Sequence, residues 1–305
     1  MQNSSLKRNK IKKQPCLAFV LSGGGARGAL QVGALHALLE ADIHPDLLVG
    51  TSIGAVNAAF LAIHGLTRQS LTELEAAWHD AAEADLLPAN YLWLTVRILF
   101  NRINARPDHR LRDFFVAHGV SPDLRFGQIE GLRLILVATD LNAGCVVLYG
   151  TDPNQLVLEG VLASTALPPW VHPLEKDGRL LMDGGVVSDL PIEPAMTQGA
   201  TEIVALDLTE PRPLDPEVHG FGPFLNRLMN TVGQRQINLE LALARASGVP
   251  VHRIALRAKR PVPVWDFSHT DELIAQGYEI ARREIAQWQP RRWARWRKWL
   301  ARLWH

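Results

Sequence analysis

Cysteine is scarce in this chain: Cys16 and Cys145 are the only two in 305 residues, each within an apolar run and neither in a CxxC spacing. That excludes a disulfide framework, a zinc knuckle and a thioredoxin-like redox site, and it points to a reducing compartment. Net charge is equally slight. With 32 Lys and Arg against 31 Asp and Glu, no field of the whole protein would recruit nucleic acid, and none is expected as a partner. No uninterrupted apolar run reaches the ~18 residues of a membrane span; the nearest, Leu86 to Ile103, is broken by Pro88, Asn90, Arg97 and Asn101. GK[ST] after a glycine loop, HExxH and EF-hand patterns are all missing, so neither a metal nor a cofactor is expected. His36 and Glu40 share a helix face, where solvent or each other would satisfy them. No repeat period or low-complexity linker divides the chain, and its 47% hydrophobic content can bury one catalytic-sized domain.

The near-zero charge hides an uneven distribution. Residues 7–13 hold five basic residues and 291–305 hold six, with no acid in either stretch, which leaves 21 basic against 31 acidic residues in the rest. An acidic body, 15–290, therefore lies between a basic N-terminal tail, 1–14, and a basic C-terminal tail, 291–305. KRNKIKK before CLAFVL imitates a secretory leader, but the apolar stretch breaks at once into SGGGARG, which reads as a working loop rather than a cleavage region. The C-terminal tail carries four of the nine tryptophans. On a helical projection Trp293, Trp296, Trp299, Leu300, Leu303 and Trp304 share an arc of about 140°, opposite Arg291, Arg295, Lys298 and Arg302. This is the pattern of an interfacial amphipathic helix on an anionic membrane. Docking of the same tryptophans on the protein's own core is the competing reading.

Between the tails, strand and helix patterns alternate. LAFVLS (17–22) is a continuous apolar run closed by glycines, as in a buried parallel strand, and helical spacing follows from Ala29 to Glu40. PDLLVGTS and IGAVNAAFLAIHG repeat the strand-helix order. Further strands are expected at 133–141, 145–150, 179–183, 202–208 and 251–256, and helices at 191–198, 222–247 and 270–287. The pattern predicts an α/β sandwich around a mainly parallel sheet. Residues 66–130 interrupt the alternation as a helical, aromatic-rich insertion, either packed on the sheet or covering a site.

Three motifs carry chemistry. Gly23-Gly24-Gly25-Ala26-Arg27-Gly28 follows a strand and precedes a helix, so its amides can converge on an anion, whether a pyrophosphate or an acyl-transfer oxyanion. Gly50-Thr51-Ser52-Ile53-Gly54 is a G-x-S-x-G at a strand-to-helix turn, which thrusts a serine hydroxyl out of a sharp elbow. A serine needs a base. Asp183-Gly184-Gly185, after RLLM, offers one at a strand end, although Asp-Gly is also a common turn dipeptide.

GGGARG, GTSIG, the segment Ala163 to Pro168 and DGG, in this order and spacing, resemble the patatin-like phospholipase family, of the bacterial patatin and neuropathy-target-esterase type. The likeness runs from about Leu17 to Leu208, with DELIAQGYEIA similar to the family's final helix. It implies a three-layer α/β/α fold and a serine hydrolase cleaving fatty acyl esters of phospholipids, lysophospholipids or related lipids through a Ser-Asp dyad. Ser52 would be the nucleophile and Asp183 its base. Gly23, Gly24, Gly25, Arg27 and Gly28 would form the oxyanion hole, with Ser164 and Pro168 in a segment that shapes the site. VVSDLP departs from the family, which often has an Asn near Asp189. A triad through His269, beside Asp266 and Asp271, is an alternative to the dyad. A membrane-associated scaffold with little ester turnover is the alternative function. Charge split and composition suggest a cytoplasmic enzyme visiting the inner membrane leaflet.

Overall fold

The computed structural model describes residues 14–84, 109–168, 171–208 and 221–288. The basic stretch 7–13, residues 85–108 of the insertion and the tail 291–305 lie outside the described residues.

The first half alternates as its sequence predicts: β1 (Leu17–Leu21), α1 (Ala29–Glu40), β2 (Leu47–Thr51) and α2 (Ile53–His64). Then come α3 (Arg68–Glu83), α4 (His109–Ala117), β3 (Arg133–Asp140), β4 (Cys145–Tyr149), α5 (Val157–Ser164), β5 (Leu174–Lys176) and β6 (Arg179–Asp183). The chain closes with α6 (Ile192–Thr197), β7 (Glu202–Asp207), α7 (Phe221–Ala246), β8 (Val251–Ala255) and α8 (Thr270–Gln287). Helix α3 begins at a reciprocal cap, Thr67 accepting from the Ser70 amide while Ser70 accepts from the Thr67 amide, which satisfies two amides that the helix itself cannot.

One sheet joins the described strands in the order β5-β6-β3-β2-β1-β7-β8, with β4 on β3. The run β3-β2-β1-β7-β8 is parallel. Period-2 alternation sends its side chains to two cores. Phe19, Leu21, Leu48, Leu136 and Leu206 pack with α1, α2, α3 and α8 on one face. Val20, Leu47, Val49, Ile135 and Ala205 pack with Leu190, Ile192, Ala195, Ile237 and Ala244 on the other. The architecture is thus a three-layer α/β/α sandwich around a mainly parallel sheet.

The antiparallel strands decide where the site forms. β4 covers one edge of β3 from Leu136 to Asp140. The other edge is shared end to end: β2 pairs with it up to Thr51 opposite Val137, and β6 takes over with Asp183 opposite Ala138. Residues 51 and 183 therefore meet across adjacent positions of one strand. Strand β5 and helix α5 are additions to the elements expected from the sequence. Both are short, and β5 (LEK) has no apolar alternation to announce it.

Candidate active site

Ser52 follows the end of β2 at a turn too tight for ordinary backbone. Its φ of 54° and ψ of −125° place a non-glycine residue in a sparsely populated region, at a cost of order 1–3 kcal/mol. The flanking glycines permit the turn. A Cβ on Gly50 would lie 2.4 Å from the Gly54 carbonyl oxygen, and one on Gly54 would lie 2.3 Å from that of Leu21. Helix α2 starts at the next residue, so the positive end of its dipole faces the Ser52 side chain. The Ser52 amide donates to Ser164 Oγ at 2.9 Å, and that hydroxyl donates to the Val137 carbonyl at 2.6 Å. Ser164, at the end of α5, is thereby a strut between the elbow and β3.

Asp183 is 3% exposed. Its Oδ1 accepts from the Gly185 amide at 2.8 Å, and Thr139 Oγ1 holds its carbonyl at 2.8 Å. Its Oδ2 is buried without a partner. Burial pushes the carboxyl up to about 6, against the opposing pull of the Ser52 hydroxyl and the Gly185 amide. The hydroxyl is close enough to exert that pull, yet the contact falls short of hydrogen-bond geometry. The Ser52 hydroxyl and the Asp183 carboxyl are thus neighbours, the arrangement a nucleophile and its base require.

The glycine loop lies beside this pair, at the end of the neighbouring strand β1. Its amides divide into two groups. Gly23 donates to the Asp189 carbonyl at 3.1 Å, Ala26 to Val264 at 2.8 Å and Arg27 to Gly24 at 3.4 Å. The Gly24 and Gly25 amides reach no acceptor among the described residues. Gly25 has φ +58°, and a Cβ there would lie 2.3 Å from the Val264 carbonyl oxygen, so only glycine fits. Gly28 lies against Ile53 and Trp78. Arg27 Nε donates to the Gly24 carbonyl at 3.2 Å. A buried polar chain fixes the loop's base: Trp78 Nε1 donates to Asn57, Asn57 donates to Gln31 and Gly28, and Gln31 donates to Ser22. Every link is saturated, which makes such a chain rigid.

Asp189 is the acid that motif reading passed over. It keeps some accessible surface, but its carboxyl is enclosed beside Gly23, Gly185 and Asp183. Burial first, then the charges of Asp183 and Asp207, push it up to about 8, with Arg27 and the Gly23 amide opposing. The loop that bears it is held by Thr51 Oγ1, which donates to the Ser188 carbonyl, and by Ser188 Oγ, which donates to Glu240 at 2.6 Å.

His269 is engaged elsewhere, with Nδ1 3.2 Å from Arg260 and Nε2 3.5 Å from Asp266. Glu40 accepts from Tyr278 at 2.7 Å, while His36 lies 2.8 Å from Glu75, so in place of solvent or each other these two residues meet α8 and α3. Among the described residues no group of three or more His, Cys, Asp or Glu is placed to hold a metal ion. No helix among them is long and apolar enough to cross a membrane.

A family model described as "Patatin-like phospholipase" matches residues 19–196, which contain the elbow, the glycine loop and Asp183. The chain belongs to the patatin-like phospholipase family. Patatin-like phospholipase domain-containing protein 6 of Homo sapiens is 33% identical over 212 residues, 67% of this chain and 14% of its own length. Neuropathy target esterase sws of Drosophila melanogaster is 31% identical over 198 residues, 63% of this chain and 13% of its own. Lysophospholipase NTE1 of Phaeosphaeria nodorum aligns at 26% identity with 89% of this chain and 18% of its own length. The chain thus spans less than a fifth of each of these three relatives. Among solved structures, VipD from Legionella pneumophila aligns with 89% of this chain and 67% of its own at 15% identity and a TM-score of 0.44; the fold assignment rests on the sheet order and the two cores described above.

Proposed function

We propose that this patatin-like chain is a serine hydrolase of fatty acyl esters, with (lyso)phospholipids or related lipids as its substrates. Family membership supports the class of reaction. The observation that carries the mechanism is the juxtaposition of a strained Ser52 with the buried carboxyl of Asp183.

Asp183 takes the Ser52 hydroxyl proton as Oγ bonds to the ester carbonyl carbon. The carbonyl π electrons move onto oxygen, where the Gly24 and Gly25 amides receive the negative charge. Collapse of this intermediate breaks the ester C–O bond, and the departing alcohol takes the proton from Asp183. Water then attacks the acyl-serine and gives a proton to Asp183. Collapse of this second intermediate breaks the bond between Ser52 Oγ and the acyl carbon, Asp183 returns its proton to Oγ, and the fatty acid leaves. Burial suits Asp183 to both roles, because a carboxyl at about 6 is ionised at neutral pH yet basic enough to accept a proton.

A fluorophosphonate probe tests the proposal together with turnover of a lysophospholipid. The wild type is expected to label and to turn over, Ser52→Ala to do neither, and Asp183→Asn to lose turnover. His269→Ala is expected to keep turnover. Labelling that persists in Ser52→Ala, or turnover lost in His269→Ala, would overturn the dyad.

A further inference from the structure

Two carboxyl groups, not one, border the nucleophile. A Cβ built on Gly185 would lie 3.1 Å from Asp183 Oδ1 and 3.2 Å from Asp189 Oδ1, and one built on Gly23 would lie 2.5 Å from Asp189 Oδ1 and 3.2 Å from Ser52 Cβ. Asp189 therefore faces the base across one glycine and the nucleophile across another. Both glycines leave room that the acid fills.

The charges around Asp189 come from three directions. Asp183 lies at the end of β6 on its own loop, Arg27 lies on the glycine loop, and Asp207 lies at the end of β7. Asp207 is itself held by Arg253 of β8 through contacts of 2.7 and 2.5 Å. Within this enclosure a second negative charge would oppose the oxyanion received by the neighbouring amides. It would also oppose ionisation of Asp183.

We propose that Asp189 serves the site as a neutral carboxylic acid flanking the glycine loop, and that loss of its proton shuts acyl transfer down. The proposal rests on the Ser52–Asp183 reading above and deepens it with a positioning group for charge. Asp183 ionises first, at about 6, and its charge then adds to burial in holding the Asp189 proton up to about 8. Between those values the site holds one carboxylate and one carboxylic acid, the two forms the chemistry needs. Ionisation of the second acid sets the upper limit.

The test is kcat/KM of the full chain on a fluorogenic acyl ester between pH 5 and 10, with the enzyme-free rate at each pH subtracted as the background of spontaneous hydrolysis. The wild type is expected to rise through about pH 6 and to fall about tenfold between pH 7 and pH 9. Asp189→Asn keeps a neutral amide of the same shape, so it is expected to retain the rise and lose the fall. Asp189→Ser is a second neutral variant and is expected to do the same, which keeps the test decisive if the first fails to fold. An alkaline fall that persists in a folded variant would overturn the proposal, as would a folded Asp189→Asn that no longer labels with fluorophosphonate. Turnover surviving in Ser52→Ala would instead remove the underlying dyad, and this inference with it.

Discussion

Asp183 bears the conflict between folding and chemistry most directly. Burial lifts its carboxyl to about 6, so the folded state binds a proton more tightly than the unfolded chain, whose aspartates titrate near ~3.9. The sign follows. The protonated side chain suits the fold below about pH 4, and that stability is lost as pH rises through 6. Replacing Asp183 by Asn removes the titration, so the variant is expected to gain stability over wild type between pH 4 and 6, reaching about 3 kcal/mol at neutrality. Urea unfolding at pH 4, 5, 6 and 7 measures this, and a constant difference across the series would show that Asp183 is not perturbed. Ser164 gives the opposite case. Its hydroxyl joins the half-buried Ser52 amide to the buried Val137 carbonyl, and Ser164→Ala removes this partner from both at a cost of about 1–3 kcal/mol. Its Tm is expected to fall, and kcat to fall at least tenfold as the elbow loosens; an unchanged kcat would dissociate the strut from nucleophile geometry. The position of Ser52 was legible because G-x-S-x-G encodes a local backbone shape. Asp183 was legible only as a turn or a candidate base, because what brings it beside the Ser52 elbow is the pairing of β6 along β3, and that pairing is non-local.

At the scale of elements, alternation of apolar runs gave the strands and helices that build the parallel half of the sheet. It did not give the direction of β4, β5 and β6, which run antiparallel to their neighbours. An apolar run of five residues carries no mark of direction. Yet that reversal brings Asp183 end to end with Thr51 on a single edge of β3. The helical layer is equally specific. At the crossing of α1 and α8, a Cβ on Gly33 would lie 1.9 Å from the Ile274 carbonyl oxygen and one on Gly277 would lie 2.0 Å from that of Leu30. Two glycines let the helix backbones touch, and neither stands out in the sequence from a glycine tolerated on a helix. Gly277→Ala must push α8 away from α1, with an expected loss of about 1–3 kcal/mol. Chemical denaturation reads that loss, while fluorophosphonate labelling of the folded fraction is expected to persist because Gly277 lies outside the Ser52 loops. A stability equal to wild type would mean that the helices part without cost.

For the whole molecule, the uneven charge raises the question of how a lipid ester reaches Ser52. Across residues 14–290 acids outnumber bases, 31 to 21, so this part of the chain is repelled by an anionic bilayer at low salt. The six basic residues and four tryptophans of 291–305 supply the opposite tendency, each cation worth roughly 1 kcal/mol near anionic lipid and each indole suited to the headgroup boundary. We propose that this segment holds the enzyme at the membrane, with the basic residues of 7–13 adding attraction. Two variants separate charge from insertion. Truncation after Pro290 is expected to abolish co-sedimentation with vesicles of phosphatidylglycerol and phosphatidylcholine. Replacing Trp293, Trp296, Trp299 and Trp304 by Ala is expected to leave binding that 0.5 M salt removes, since only the electrostatic part then remains. Turnover of a soluble short-chain ester is expected to stay level across the series while turnover of vesicle lipid falls. If the truncated chain binds and hydrolyses vesicles as well as the full one, another surface presents the substrate.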